Sequence, residues 1–276
     1  MHSVHSVAER ETFHPVIGPV AEAEALYVKQ LRLVERLRTH AKQSGEEFVI
    51  WDVGLGAAAN ALTVLRALRE VPARIRLMSF DHTIEPLRFA LNHAAELGYF
   101  DGYETVAGQL AHIGNHSLTF PNGAQTVRWQ VQLADFPTLL TQSSARGLPE
   151  PHVILFDAYS PARNPAMWTL PLFKNVFRLL DPARPCALPT YSRSTMLRVT
   201  LLLAGFFVGA GHPTGEKEET TIAANARELV TEPLARAWLA RARRSHSAEP
   251  LHEPVYRQAP LSEESWERLQ RHPQFQ

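Results

Sequence analysis

Strand-like and helix-like stretches alternate from Phe48 onward, and that alternation constrains the fold more than any single motif. FVIWDVG reads as a strand, ALTVLRALREV as a helix, RIRLMSFD as a second strand and IEPLRFALNHAAEL as a second helix. Strands separated by helices at this spacing build βαβ units, with parallel strands in one sheet and helices on both faces. SLTFPNGAQTVRWQV departs from the rhythm. Pro121, Asn122 and Gly123 stand there between two period-2 runs, a hairpin signal that predicts an antiparallel insertion. A helix near FPTLLTQS, the strand HVILFD, a helix beginning near Trp168, the strand RPCALPTY and a helix over 192–204 come next. GFFVGAG and ETTIAAN read as two last strands. The expected fold is therefore α/β, a mostly parallel sheet with a β-hairpin insertion and an antiparallel last strand.

Around this domain, expected over residues 48–225, stand two flanking segments. Residues 1–47 read as a helical lead, whose 20–42 stretch sets Ala25, Val28, Leu31, Leu33, Val34 and Leu37 near one face of an amphipathic helix. Residues 226–276, richer in Arg, Glu, Pro and His, read as a peripheral tail with a helix at PLARAWLARARR. Lys plus Arg equals Asp plus Glu at 28 each, so no global basic field announces a nucleic acid and any such partner needs a local patch. The single Cys186 excludes an internal disulfide and a cysteine-rich metal site, and its run PCALPT suits a buried structural thiol. The histidines are scattered without metal-ligand spacing, so no metal is expected. MHSVHSVAERETF has no apolar core of a signal peptide, and the longest apolar stretch, VTLLLAGFFVGAG, falls short of the roughly 18–20 residues that span a bilayer. The expectation is a soluble, cytoplasmic protein with no membrane partner.

In an open parallel sheet ligands bind beyond the carboxyl ends of the strands, which makes strand-end residues worth naming. They are Asp52 with Gly54 and Gly56, Asp81, Asp135 and Asp157. DVGLGAAANALT follows a strand and opens a helix, the context of a nucleotide-binding turn, but Gly54-Leu55-Gly56-Ala57-Ala58-Ala59 lacks the full phosphate fingerprint. A cofactor without phosphates fits better. Asp81, 27 residues past Gly54, can accept from both hydroxyls of a ribose, and Asp135 can accept from an adenine amino group. Each is equally a helix N-cap taken alone. Asp157 closes the run HVILFD, where a desolvated carboxylate is costly unless it meets donors from a ligand or from its own loop. The proline-rich AYSPARNP that comes after it can form a rigid wall carrying Tyr159 and Asn164.

These residues also carry a family resemblance. DVGLGAAANALT, SFD, LADFPTLL, FDAYSPARNPAMWTLPLFKNVFRLL, YSRSTMLRVTLLLAGF and GEKEE, with the upstream ETFHPVIGPVAEAEALYV, resemble in order and spacing the S-adenosylmethionine-dependent methyltransferase domain of the bifunctional bacterial enzyme that completes 5-methylaminomethyl-2-thiouridine at the tRNA wobble position. The resemblance implies a Rossmann-like class I methyltransferase fold with S-adenosylmethionine as cofactor. It implies that Asp52, Gly54, Gly56 and Asn60 form the cofactor loop, with Asp81 at the ribose, Asp135 at the adenine and Asp157 beside the transferred methyl. His14 matches a position near the cleft. The partner oxidase domain has no counterpart, implying a stand-alone version served by a separate oxidase or an earlier wobble-modification enzyme. Three departures stand out: Ala58 in place of a third loop glycine, Glu218 in place of an arginine beside Lys217, and Ala187-Leu188-Pro189 where a Gly-containing edge is usual.

The function implied is N-methylation of the 5-aminomethyl group of a wobble uridine or thiouridine in tRNA, with Asp157 and Tyr159 as candidate catalytic residues and Tyr159, Arg163, Asn164, Arg193 and Lys217 as candidate substrate contacts. Tyr159 and Trp168 can stack on an unpaired base, although Trp168 equally suits core packing. Arg236, Arg241, Arg243 and Arg244 form a basic cluster on the tail, either a solvated face or an RNA contact. Two other readings remain: a methyltransferase or aminopropyltransferase-like enzyme acting on a small amine or protein, and a non-catalytic module that binds cofactor or RNA.

Overall fold

The structure is a computed structural model that describes residues 4–6, 10–12, 17–112, 116–215 and 218–276. Its centre is an eight-stranded sheet: β1 (Phe48–Val53), β2 (Arg74–Asp81), β3 (His116–Asn122), β4 (Gln125–Leu133), β5 (Val153–Phe156), β6 (Ala187–Thr190), β7 (Phe207–Gly211) and β8 (Thr220–Ala224), in the order β3-β4-β2-β1-β5-β6-β8-β7. From β4 to β6 neighbours run parallel, while β3 pairs antiparallel with β4 and β8 antiparallel with both β6 and β7. The fold is thus the expected α/β architecture. The hairpin differs in detail from an insertion: its second strand, β4, is itself a member of the parallel core beside β2, and only β3 is added at the edge.

Strand periodicity divides the core into two layers. Phe48 and Ile50 of β1, Ile75 and Leu77 of β2 and Val127, Trp129 and Val131 of β4 face one layer, together with α3 (Ala59–Leu68) and α6 (Glu104–His112). Val49, Trp51, Val53, Met78 and Phe80 face the other, with α8 (Leu170–Arg178) and α9 (Thr195–Ala204). The periodicity of the sequence did not announce α6. Trp168 is fully buried in the second layer, edge-on to Phe156, so its role is packing.

Both flanking segments are built into these layers. The stretch expected as one helix over 20–42 is three pieces: α1 (Pro19–Ala23), a π-helical turn Glu24–Lys29, and α2 (Leu33–Gln43), separated from the π turn by Arg32 in a left-handed conformation at φ 47°. The π turn rotates the buried face, so that Leu26, Tyr27 and Val28 are all buried where a regular helix would bury one face only. Along residues 226–276, Leu234, Leu239, Leu251, Leu261, Leu269 and Phe275 join the second core layer. Gln274 there brackets the edge strand β7, donating to Val208 O at 2.8 Å and accepting from Val208 N at 2.7 Å, and residues 232–234 pair along the same edge, with Ala210 N donating to Glu232 O and Leu234 N to Val208 O at 3.0 Å each. Compositional polarity suggested a peripheral position because the arginines of α10 (Trp238–Arg244) face outward while Leu239 and Ala242 are buried. Among the described residues no helix is long and apolar enough to cross a membrane.

Candidate active site

The four strand-end aspartates come from four neighbouring strands. Asp52 is the penultimate residue of β1, Asp81 the last of β2, Asp135 follows β4 and Asp157 follows β5. By strand alternation Asp52, Asp81 and Asp157 share the face of the first core layer, the side on which α3 and the amino-terminal lead pack. They therefore converge on one rim.

The glycine loop between β1 and α3 is fixed by backbone hydrogen bonds to its neighbours. Gly54 N donates to Phe80 O at 2.9 Å, and Asp157 N donates to Val53 O at 3.0 Å, drawing the loop against the end of β5. A Cβ at Gly54 would lie 2.6 Å from Asp157 O, and its φ of 92° is one that side-chain-bearing residues rarely adopt, so only glycine fits. Ala58, at the N-cap of α3, also sits left-handed at φ 63°, where the related domains' third glycine would be at ease. Its methyl group is fully buried in the first core layer.

Each aspartate has a distinct environment. The Asp81 carboxylate accepts from Gly56 N at 2.9 Å and Thr83 N at 3.2 Å, with His82 Nδ1 3.2 Å away, so it holds the glycine loop as well as facing the rim. Asp157 Oδ2 accepts from Asn60 Nδ2 at 2.6 Å, which ties the first turn of α3 to the end of β5. Asp52 is 1% exposed; its Oδ2 accepts from Ser79 Oγ at 2.7 Å, and Ser79 in turn accepts from Trp129 Nε1 at 2.9 Å. Burial pushes the Asp52 carboxyl up to about 7; the Ser79 hydrogen bond opposes this, and the neighbouring Asp157 and Asp81 charges add to it. Asp135 is exposed and caps α7 (Phe136–Thr141), its Oδ1 accepting from Thr138 N at 3.0 Å and from the Thr138 hydroxyl.

Several buried polar atoms in this region have no protein partner: Asp52 Oδ1, Asn60 Oδ1, Thr63 Oγ1 and the Tyr27 hydroxyl. Buried polar groups are nearly always hydrogen-bonded, so these orphans are unused capacity that a ligand bringing donors would satisfy. S-adenosylmethionine brings such donors in its ammonium and ribose hydroxyls, and its positive sulfonium, which has no hydrogen to donate, suits nearby carboxylate charge. Tyr27 and Ser79 are additions to the residues that the sequence pattern singled out. Ser79 was detectable as the polar residue sharing the inward parity of Leu77 and Asp81, whereas the π turn that buries Tyr27 leaves no periodic signal.

On the substrate side, Tyr159 is half-buried and its carbonyl accepts from Trp168 Nε1 at 2.6 Å. Arg163 N and Asn164 N both donate to Ser160 O at 2.9 Å, closing a turn that leaves the Arg163 side chain exposed and Asn164 half-buried. Tyr191 OH donates to Ala158 O at 3.0 Å, fixing the same loop from β6. Arg193 stands 3.8 Å from Glu218, so the residue that departs from the family pattern partly neutralises a proposed phosphate contact. His14 and Lys217 lie outside the described residues. Cys186 is buried and burial pushes its thiol up to about 12, consistent with a structural role.

The family profile described as S-adenosyl-L-methionine-dependent methyltransferase matches residues 104–226, from α6 through β8 and including the Asp157 loop. The chain belongs to this methyltransferase family. It is an enzyme of that class and its cofactor is S-adenosylmethionine. Among sequence relatives, the tRNA 5-methylaminomethyl-2-thiouridine biosynthesis bifunctional protein MnmC of Aeromonas hydrophila is 31% identical over 233 residues, 80% of this chain and 34% of the relative. The protein of the same name from Ralstonia nicotianae is 32% identical over 220 residues, 78% of this chain and 32% of the relative. The methyltransferase thus spans about a third of the length of the curated relatives it matches. The crystal structure of MnmC2 from Aquifex aeolicus superposes with a TM-score of 0.68 at 21% identity, over 97% of this chain and 80% of that one, which establishes the shared fold.

Proposed function

We propose that this methyltransferase N-methylates the 5-aminomethyl group of a wobble uridine or 2-thiouridine in tRNA. The observation that carries the reading is the Asp157–Asn60 pair, which fixes a carboxylate at the strand-end rim beside the orphaned polar atoms. S-adenosylmethionine supplies a methyl group already activated on a sulfonium, so the chain need not furnish a strong nucleophile. Asp52, Gly54, Gly56, Asn60 and Asp81 hold it at the rim, with Asp135 on the adenine side. Asp157 orients the neutral acceptor amine through its N–H bonds and stabilises the ammonium as it forms, a form of electrostatic preorganisation. Tyr159 stacks on the splayed base, Asn164 supports it, and Arg163, Arg193 and Lys217 meet the RNA backbone.

A tRNA acceptor must already carry the aminomethyl group, so an oxidase or earlier wobble-modification activity acts before this step. That substrate also implies a cytoplasmic enzyme. The test is mass spectrometry of nucleosides from tRNA of a deletion strain. The expected result is accumulation of the 5-aminomethyl nucleoside, reversed by restoring the gene, and an unchanged nucleoside profile overturns the assignment. The Arg193–Glu218 pair favours one second reading, a small amine or protein acceptor that tolerates a less cationic surface. Methyl transfer from purified enzyme to polyamines, with none to hypomodified tRNA, would select it.

A further inference from the structure

Tyr27 is buried at 1% exposure on the π-helical turn Glu24–Lys29, which packs against α3 and β6. Its hydroxyl has no hydrogen-bond partner. The other tyrosines of the core region contrast with it. Tyr99 OH donates to Ala57 O at 2.9 Å, Tyr103 OH to Asn122 Oδ1 at 2.7 Å and Tyr191 OH to Ala158 O at 3.0 Å. A phenol buried only for packing would lose nothing by being phenylalanine, whereas an unpartnered hydroxyl carries a desolvation penalty. π turns are uncommon in helices and concentrate at functional sites, and this one buries Tyr27 against α3, the helix that carries Asn60, and β6. Burial holds its proton on well above the ordinary phenol range, and the charges of Asp157, then Glu22 and Asp52, act in the same direction, with Tyr191 adjacent. The group is therefore a neutral hydroxyl with one proton to give and lone pairs to accept.

We propose that the Tyr27 hydroxyl is an acceptor-orienting group of the methyl-transfer site: its oxygen takes one N–H of the amine to be methylated and the Asp157 carboxylate takes another. The amine is then held from two sides, with its lone pair free. The amino-terminal lead thereby completes the acceptor pocket. This assignment rests on the reading of the acceptor as an amine, and its test separates the two.

Calorimetry on Tyr27→Phe would compare sinefungin, in which an amine-bearing carbon replaces the methylated sulfonium, with S-adenosylhomocysteine, which has no group at that position. Loss of one hydrogen bond to the amine should weaken sinefungin roughly fivefold to tenfold and leave S-adenosylhomocysteine within about twofold. In turnover on hypomodified tRNA, kcat should fall roughly tenfold or more with the KM for cofactor unchanged. Equal weakening of both ligands would show that Tyr27 only shapes the core, and unchanged sinefungin affinity would remove the hydroxyl from the pocket; either overturns the proposal. If the wild-type enzyme fails to methylate hypomodified tRNA, the acceptor reading fails, while the sinefungin comparison still decides the role of Tyr27.

Discussion

The two ends of the same parallel strands are built on opposite terms. At the carboxyl ends, Asp52 Oδ1, Asn60 Oδ1 and the Tyr27 hydroxyl are buried without partners, and Ala58 sits in a strained conformation. At the amino ends, several polar groups satisfy one another, although Arg36 Nη1 has no partner. His152 Nδ1 accepts from Val49 N at 2.9 Å, its ring stacks on Phe48 at 4.5 Å, and its carbonyl accepts from Arg36 Nη2 at 2.8 Å. Cys186 N donates to Asn225 Oδ1 at 2.8 Å, and Arg184 Nη1 to Glu150 O at 2.9 Å. Burial is the largest cause of shift at both ends, raising Asp52 to about 7 and lowering His152 to about 3, in each case favouring the neutral form. Burial alone therefore does not mark a functional site. Unpartnered polar atoms also occur elsewhere, as at Arg36 Nη1 and Trp238 Nε1, so the distinguishing feature of the rim is that Asp52, Asn60 and Thr63 bring such atoms together with the strand-end carboxylates.

The largest effect expected from breaking this contrast is at Asp157. Asp157→Ala should lower turnover by about a hundredfold or more, in the range of a lost positioned acid–base or orienting group, with the cofactor dissociation constant changed only modestly. Cys186→Ala, a buried change at the opposite end, should leave kcat within about twofold. Steady-state kinetics on both variants decides it: comparable losses would mean that catalysis depends on the sheet as a whole. Next in size is Asp81→Ala. Its carboxylate holds two loop amides and is proposed to meet the ribose, so cofactor binding should weaken by about 1–3 kcal/mol, read by calorimetry. An unaltered dissociation constant would remove Asp81 from the pocket.

The two buried titratable groups make a third, smaller comparison. Asp52 has a folded pKa above its unfolded value, so the folded state binds more protons between about pH 4 and 7 and stability falls as pH rises through that window. His152 has a folded pKa below its unfolded value, so the unfolded state binds more protons between about pH 3 and 6.5 and stability rises with pH there. In the wild-type protein the two slopes oppose each other. Asp52→Asn removes the falling one, and its unfolding free energy should climb more steeply from pH 4 to 6.5, by up to about 1.4 kcal/mol per pH unit. Chemical denaturation of both proteins at several pH values measures this. Parallel curves would show that Asp52 titrates as an ordinary carboxylate.

How much of the molecule was legible beforehand depends on the kind of signal. The sheet could be read because β1 and β5 open on continuous apolar runs and β2 carries Ile75, Leu77, Met78 and Phe80, with helices between them, and the rim because each strand brings an aspartate to its carboxyl end. The lead was misread where backbone geometry departs from a regular period: no composition rule places a π turn at Glu24–Lys29 or a left-handed residue at Arg32, and both change which side chains are buried. The tail was misread because its polar residues outnumber the few apolar ones that anchor it, and α11 (Glu263–Gln270) buries little beyond Leu269 and Ser265. Asn60 entered only through resemblance. Its contact joins residues 97 positions apart, which sequence spacing cannot express.

The smallest effect sought is at Ala58, and its size is what makes it informative. A left-handed alanine carries a steric cost of about 1–2 kcal/mol, which Ala58→Gly would relieve. Against that stand the greater freedom of the unfolded glycine chain, about 0.4–1 kcal/mol, and the loss of a buried methyl group, about 0.8 kcal/mol. The contributions nearly cancel, so Ala58→Gly should shift the unfolding free energy by no more than about 1 kcal/mol in either direction. Because the methyl packs into the core layer rather than standing exposed at the rim, the cofactor dissociation constant should also stay within about threefold. Tightening beyond about tenfold would show instead that this methyl obstructs the ligand.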